Sequence, residues 1–192
     1  MWVVKLGGSL QDSPYLRDWL RVFAAQGGGK MVLVPGGGKY ADKVRKDQIL
    51  EGFSDKEAHA RAIRGMEQFA GDLCRLEARL QSFFNREQLV EILREGGIPV
   101  WLPSAMVLGR PDLPETWEVT SDSLSLWLAQ ELTCKGLIIV KHMNLAATAS
   151  LARLAGAGVV DSYFPKLFQI RAMSLLWYRP EQYQHLNLPA LS

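Results

Sequence analysis

The sequence predicts one α/β domain, a three-layer αβα sandwich built on a mainly parallel sheet. Three observations carry that prediction. Short continuous apolar runs alternate with segments of helical periodicity, the signature of parallel strands joined by crossover helices. Two of those runs end in glycine clusters that lead into a helix. At 192 residues and 48% hydrophobic, the chain buries one sizeable core and is short for two.

The elements follow in order. Residues 2–6 form a β-favouring run that stops at Gly7-Gly8-Ser9, and Leu16, Trp19, Leu20 and Phe23 then recur at helical steps. Gly27-Gly28-Gly29 closes that helix, residues 31–34 make a second strand, and Pro35-Gly36-Gly37-Gly38 opens another helix. Over 54–79, Ala58, Ala62, Met66, Phe69 and Leu73 mark a long amphipathic helix. A helix over 86–94 ends at Gly96-Gly97, and residues 98–102 supply a third strand closed by Pro103. Thr120-Ser121-Asp122 caps a helix running to about Leu132, and 136–140 is the fourth strand. Beyond it the pattern gives a short helix over 149–155, extended pieces at Val159-Val160 and within 168–177, and a final helical turn begun by Pro180.

Composition excludes several classes. The 22 Lys+Arg nearly balance the 20 Asp+Glu, so the +2 net charge creates no field that would gather nucleic acid. The longest stretch without a charge, 96–109, contains two prolines and falls short of the roughly 20 apolar residues of a membrane span. The amino terminus, with Lys5 and two glycines inside its first apolar run, does not read as a secretory signal, so a cytoplasmic protein is expected. Cys74 and Cys134 stand alone within helical patterns, read as buried thiols, and no metal site is expected.

In parallel sheets ligands bind beyond the carboxyl ends of the strands. Those ends read Lys5-Leu6-Gly7-Gly8-Ser9, Pro35-Gly36-Gly37-Gly38-Lys39, Pro103-Ser104 and Lys141-His142-Met143-Asn144. A glycine loop entering a helix presents backbone N–H groups at the positive end of the helix dipole, which suits phosphate or carboxylate. Two such loops point to two anionic groups. No P-loop is present, because Lys39 is followed by Tyr40 and Leu33 stands where its first glycine belongs. The GxGxxA match at 36–41 lacks the second strand with its acidic end, so NAD is a poor ligand.

The stretches Val3-Val4-Lys5-Leu6-Gly7-Gly8-Ser9, Val34-Pro35-Gly36-Gly37-Gly38 and Val119-Thr120-Ser121-Asp122-Ser123 resemble, in order, type and spacing, the motifs of the amino acid kinase family. The resemblance covers residues 1–145. It implies an αβα protein that uses ATP and Mg2+ and transfers the γ-phosphoryl group to a carboxylate or phosphate oxygen of a small-molecule substrate. Gly36-Gly37-Gly38, Ser54-Asp55, Ala58-His59 and Val159-Val160-Asp161 further resemble the family's small kinases of methanofuran biosynthesis, which make a diphosphate from aminomethyl-furanmethanol phosphate. The resemblance implies ATP-phosphate contacts at Gly7, Gly8 and Ser9. It also implies substrate contacts at Gly36, Gly37, Gly38, Thr120 and Ser121, and a homo-oligomer formed through the helix over 54–79.

Transfer between two anions needs fixed cations and backbone donors rather than a covalent intermediate. Lys5 is the first such cation. Its head is expected in solvent, so that Lys5→Ala would leave folding nearly intact. Asp122 sits in the first turn of a helix, where capping alone favours an acid and its loss would be mild; in the family the matching residue instead holds the catalytic lysines. The second lysine is either Lys141 or Lys166. Arg45 and Arg64 are candidates to clamp an acceptor phosphate. His59 shares an apolar stripe with Ile63, Met66 and Leu73, as a packed histidine does, and stands on the substrate side. Trp101, Trp117 and Trp127 read as core or lid residues.

Two departures from the family pattern matter. The loop after the fourth strand has neither the Asp nor the Gly that embraces a nucleotide, and the carboxy-terminal half is short. These departures leave a non-catalytic binding protein of the same fold as an alternative. The triple glycine at 36–38, Arg45 and Arg64, and the apolar Ile63 and Met66 favour a phosphate-monoester acceptor with an apolar or aromatic body over an amino-acid carboxylate.

Overall fold

The computed structural model describes residues 1–143 and 149–188. Six strands, β1 (Trp2–Leu6), β2 (Met31–Pro35), β3 (Leu80–Phe83), β4 (Ile98–Trp101), β5 (Gly136–Val140) and β6 (Ser174–Tyr178), form one sheet in the order β3-β4-β2-β1-β5-β6. Every pairing in it is parallel. The strands alternate with helices α1 (Leu16–Gln26), α2 (Gly38–Glu51), α3 (Asp55–Leu76), α4 (Arg86–Arg94), α5 (Ser104–Val107), α6 (Ser121–Glu131), α7 (Leu151–Gly156) and α8 (Phe164–Ile170).

The pleat divides each central strand between two apolar layers. On β1, Val3 joins the layer that contains Leu124, Leu128 and Phe164, whereas Trp2, Val4 and Leu6 join the layer that contains Trp19, Leu20 and Phe23. Lys5 shares the face of Val3, and that parity aims its side chain toward α6 rather than α1. The helix α6 is buried along its whole middle, from Asp122 to Ala129, which explains why it lacks a polar stripe. Helix α3 is capped by the preceding Ser54, whose hydroxyl accepts from the Glu57 N–H (3.3 Å), and runs long enough to feed both layers, Ile63 and Met66 to one and Phe69 and Leu73 to the other.

Several expectations change. Residues 80–83 form a strand that the sequence pattern does not announce, because Gln81 and Ser82 are exposed at a sheet edge between buried Leu80 and Phe83. Val159-Val160 lie in a bend, and Phe168 belongs to α8, leaving only Ser174–Tyr178 extended. Cys134 follows α6 rather than lying inside a helix, and both thiols are half-buried, with burial pushing Cys134 up to about 11. Asn144 lies outside the described residues. The outer face of α3, proposed above for association, carries the exposed Arg64 and Gln68, whereas Ile49 and Leu50 at the end of α2 are 84% and 83% exposed. Among the described residues no helix is long and apolar enough to cross a membrane.

Candidate active site

Because β1 is flanked by β2 and β5, three strand ends lie side by side, at Gly7, Gly36 and Lys141. This is the switch point of the sheet, where connections depart in opposite directions. Gly7 donates to the Val140 carbonyl and Gly36 to the Leu6 carbonyl, each at 2.8 Å, extending the ladder one step beyond the strands. The two loops then touch through their backbones. A Cβ on Gly8 would stand 2.4 Å from the Gly38 nitrogen, and one on Gly36 would stand 2.4 Å from the Gly8 nitrogen. Glycine is needed there for the close approach itself.

Beyond the loops opens a cavity of about 380 Å³. Gly8, Ser9, Gly37 and Gly38 form one wall, and Lys5, Asp122 and Lys141 form its floor. His59, Ile63 and Met66 of α3, with Trp117, give the cavity an apolar side. Gly7 and Gly36, both expected to contact ligand, are not among the residues lining this cavity, and their N–H groups pair with the neighbouring strands.

The floor is an ion triad. Lys5 Nζ donates to Asp122 Oδ1 at 2.7 Å and Lys141 Nζ donates to Oδ2 at 2.9 Å. Lys5 is 2% exposed and Asp122 4%, so the expected solvated head of Lys5 is overturned, and with it the prediction of a mild folding effect. Burial alone would raise the Asp122 carboxyl, but the two ammonium groups outweigh it and hold the carboxyl below the usual range. Burial draws the Lys5 ammonium down, opposed by Asp122. Two ammonium groups around one carboxylate leave the triad itself with a surplus of positive charge. Lys141, 23% exposed, reaches further into solvent than Lys5 and also donates to the Val159 carbonyl.

The amino acid kinase family model matches residues 1–144. The chain belongs to the amino acid kinase family. It is 28% identical to the [5-(aminomethyl)furan-3-yl]methyl phosphate kinase of Methanocaldococcus jannaschii, over 95% of this chain and 90% of that one. Its fold is similar to that of a uridylate kinase from Archaeoglobus fulgidus, with a TM-score of 0.67, 16% identity and coverage of 95% of this chain and 93% of that one. It is also similar to isopentenyl phosphate kinase, with a TM-score of 0.60, 14% identity and coverage of 94% and 91%.

Within this family member the two lysine candidates separate. Lys141 joins the triad, whereas Lys166 is exposed on α8 and is not among the residues lining the cavity. The two arginines separate as well. Arg64 is exposed and away from the cavity wall. Arg45 lines the cavity, its guanidinium stacked 4.0 Å from the Trp117 ring, while the Trp117 Nε1–H donates to Gln48 Oε1 at 2.7 Å. Trp101 and Trp127 stack in the core. His59 is both packed and cavity-lining. Its Nδ1 lies 3.1 Å from the Thr116 carbonyl, and burial lowers its pKa. Thr120 and Ser121 stand on the wall at the start of α6.

Some contributors carry no motif. Gln11 accepts from the Lys39 N–H at 3.1 Å and donates to Asp72 at 3.1 Å, and Tyr40 also donates to Asp72 at 2.7 Å, so the second glycine loop is pinned to α3. Asp12 and Asp42 also line the cavity. The sequence signal for Gln11 is only its position two residues after a strand-end loop.

Proposed function

We propose that this chain is an ATP-dependent kinase whose acceptor is a small phosphate monoester with an aromatic or apolar body, in the class of the furan-methyl phosphate acted on by its Methanocaldococcus relative. The observation that carries this reading is the Lys5–Asp122–Lys141 triad at the floor of a cavity walled by two glycine loops. One anion on each loop, with surplus positive charge between them, offsets the several kcal/mol of repulsion that two phosphates feel at about 4 Å. The carboxylate of Asp122 is engaged by both lysines, which suits an orienting role and not proton removal.

The residues fit MgATP. Among the described residues no three His, Cys, Asp or Glu side chains converge into a metal cage. Asp12 and Asp42 offer carboxylates on the wall, in keeping with Mg2+ held largely by phosphate oxygens and water. MgATP supplies the phosphoryl group and a divalent charge on its phosphate oxygens. Gly8 and Ser9 would hold its phosphates, Gly37, Gly38 and Arg45 the acceptor phosphate, and Ile63, Met66 and Trp117 the acceptor body. The acceptor oxygen forms a bond to the γ-phosphorus as the bond to the β-phosphate oxygen breaks, giving ADP and a diphosphate. Lys5 and Lys141 stabilise charge on the transferring oxygens.

The test is ADP release from MgATP with separate pools of aryl or furan-methyl phosphates, isoprenoid phosphates and N-acylated acidic amino acids. Turnover in the first pool is expected. Turnover confined to the amino-acid pool would overturn the acceptor assignment, and ATP binding without turnover in any pool would make the chain a non-catalytic member of the fold.

A further inference from the structure

The Val159-Val160-Asp161 stretch stands out in the sequence and has no part in the function just described. In the structure the Asp161 carboxylate accepts five hydrogen bonds. Its Oδ2 takes the Thr120 N–H (2.9 Å), the Thr120 hydroxyl (2.8 Å) and the Ser123 N–H (3.0 Å). Its Oδ1 takes the Ser123 hydroxyl and the Phe164 N–H (3.0 Å). Thr120, the residue immediately before α6, makes no side-chain cap of its own, and neither does Tyr163, immediately before α8. One carboxylate therefore caps two helices, one of them from 38 residues away in sequence.

The helix start that Asp161 holds carries Asp122 between its two anchor points, Thr120 and Ser123. Two residues before Asp161, the Val159 carbonyl accepts from Lys141. The same bend thus fixes the carboxylate of the triad through α6 and one of its ammonium groups directly.

We propose that Asp161 is a positioning residue for phosphoryl transfer, setting the place of Asp122 and through it the lysine ammonium groups at the cavity floor. This rests on the kinase reading above. Its electrostatics agree with the geometry. Burial and the Asp122 charge push the Asp161 carboxyl up, and Asp161 in turn favours the charged form of Lys5. The groups acting on Lys5 are Asp122, Lys141 and Asp161. Asparagine at 161 keeps the shape but presents an NH2 group to donors and removes the charge.

The experiment pairs kinetics with a measurement that needs no turnover. In Asp161→Asn, kcat is expected to fall about 10- to 100-fold, the scale of a misplacement of about 1 Å, with KM for MgATP nearly unchanged. Independently, the Lys5 ammonium, followed by NMR of lysine labelled with 13C at Cε, is expected to titrate at lower pH than in the wild type. Ser123→Ala, which removes only the hydroxyl donor and keeps the Ser123 N–H and the Asp161 charge, is the milder change and should shift both readouts in the same direction by less. In the double variant the two effects should be non-additive. An unchanged Lys5 titration, or additive effects, would overturn the proposal even in a protein that turns over no acceptor. An inactive wild type with a shifted Lys5 would instead refute the kinase reading, and with it a role in transfer, while showing that Asp161 does place the Asp122–Lys5 pair.

Discussion

At the scale of single residues, the site turns on one carboxylate surrounded by charge of the opposite sign. Replacing Asp122 by Asn leaves the buried Lys5 ammonium without its counter-charge and beside the ammonium of the partly exposed Lys141. Breaking a buried pair in this way costs about 3–5 kcal/mol. Since each kcal/mol moves the melting temperature of a chain this size by about 2–4 °C, thermal unfolding should show a drop of about 6–20 °C alongside the loss of activity. This reverses the mild effect expected for a simple helix cap. The Asp122 carboxyl titrates below its unfolded value, so its contribution is full above the ordinary carboxylate range and disappears as pH falls through the lowered value. The Asp122→Asn variant should lack that part of the acid dependence, which denaturant melts between neutral pH and pH ~3 would reveal.

The two lysine candidates offer a second residue-scale test. Lys141→Ala should lower kcat about 100-fold or more, the loss typical of a preorganised charge-stabilising group. Lys166→Ala, altering an exposed side chain outside the cavity, should remain within about twofold of the wild type. Equal losses in the two variants would return the assignment to the ambiguity of the sequence.

At the scale of elements, the two glycine loops act as one unit because their backbones touch. Gly8→Ala places a methyl group 2.4 Å from the Gly38 nitrogen. Relief requires the loops to separate, since the obstacle is backbone and not a flexible side chain. Such overpacking costs about 1–3 kcal/mol. The variant should therefore bind ATP and acceptor more weakly together, as calorimetric titration of each ligand would show. Weakening confined to one ligand would indicate that the loops work separately.

At the scale of the whole molecule, the fold brings distant segments together around one cavity, which the proposed function makes the ligand site. A ligand that binds only the folded state at about 100 times its Kd adds about 2.7 kcal/mol of stability. That corresponds to a rise of about 5–10 °C in melting temperature. MgATP should produce it and NAD should not.

What the sequence determines by itself is local. The periodicity of apolar residues, the glycine stops and the capping residues specify β1, β2, β5, α1, α3 and α6, because each depends on neighbours within about one turn or one strand, and the alternation of strands with helices in turn implies a parallel sheet. Lys5 and Gly8 are legible from their place at a strand end, and the role of Asp122 from the resemblance of its Thr-Ser-Asp stretch to the family motif. Only the tertiary structure decides which lysine completes the triad, since Lys141 and Lys166 differ in what faces them and not in local pattern. It alone assigns the close approach of Gly8 to Gly38, the trans-capping by Asp161 and the brace through Gln11, contacts that span 30, 38 and 61 residues of chain. The strand β3 falls in the same category. Its Gln81 and Ser82 carry no apolar signal, and its pairing with β4 from Leu80↔Ile98 to Phe83↔Trp101 exists only because a neighbour presents a free edge. The burial of Lys5 is the clearest case: its place at a strand end is in the sequence, but the charge that permits it to be buried comes from Asp122, 117 residues away.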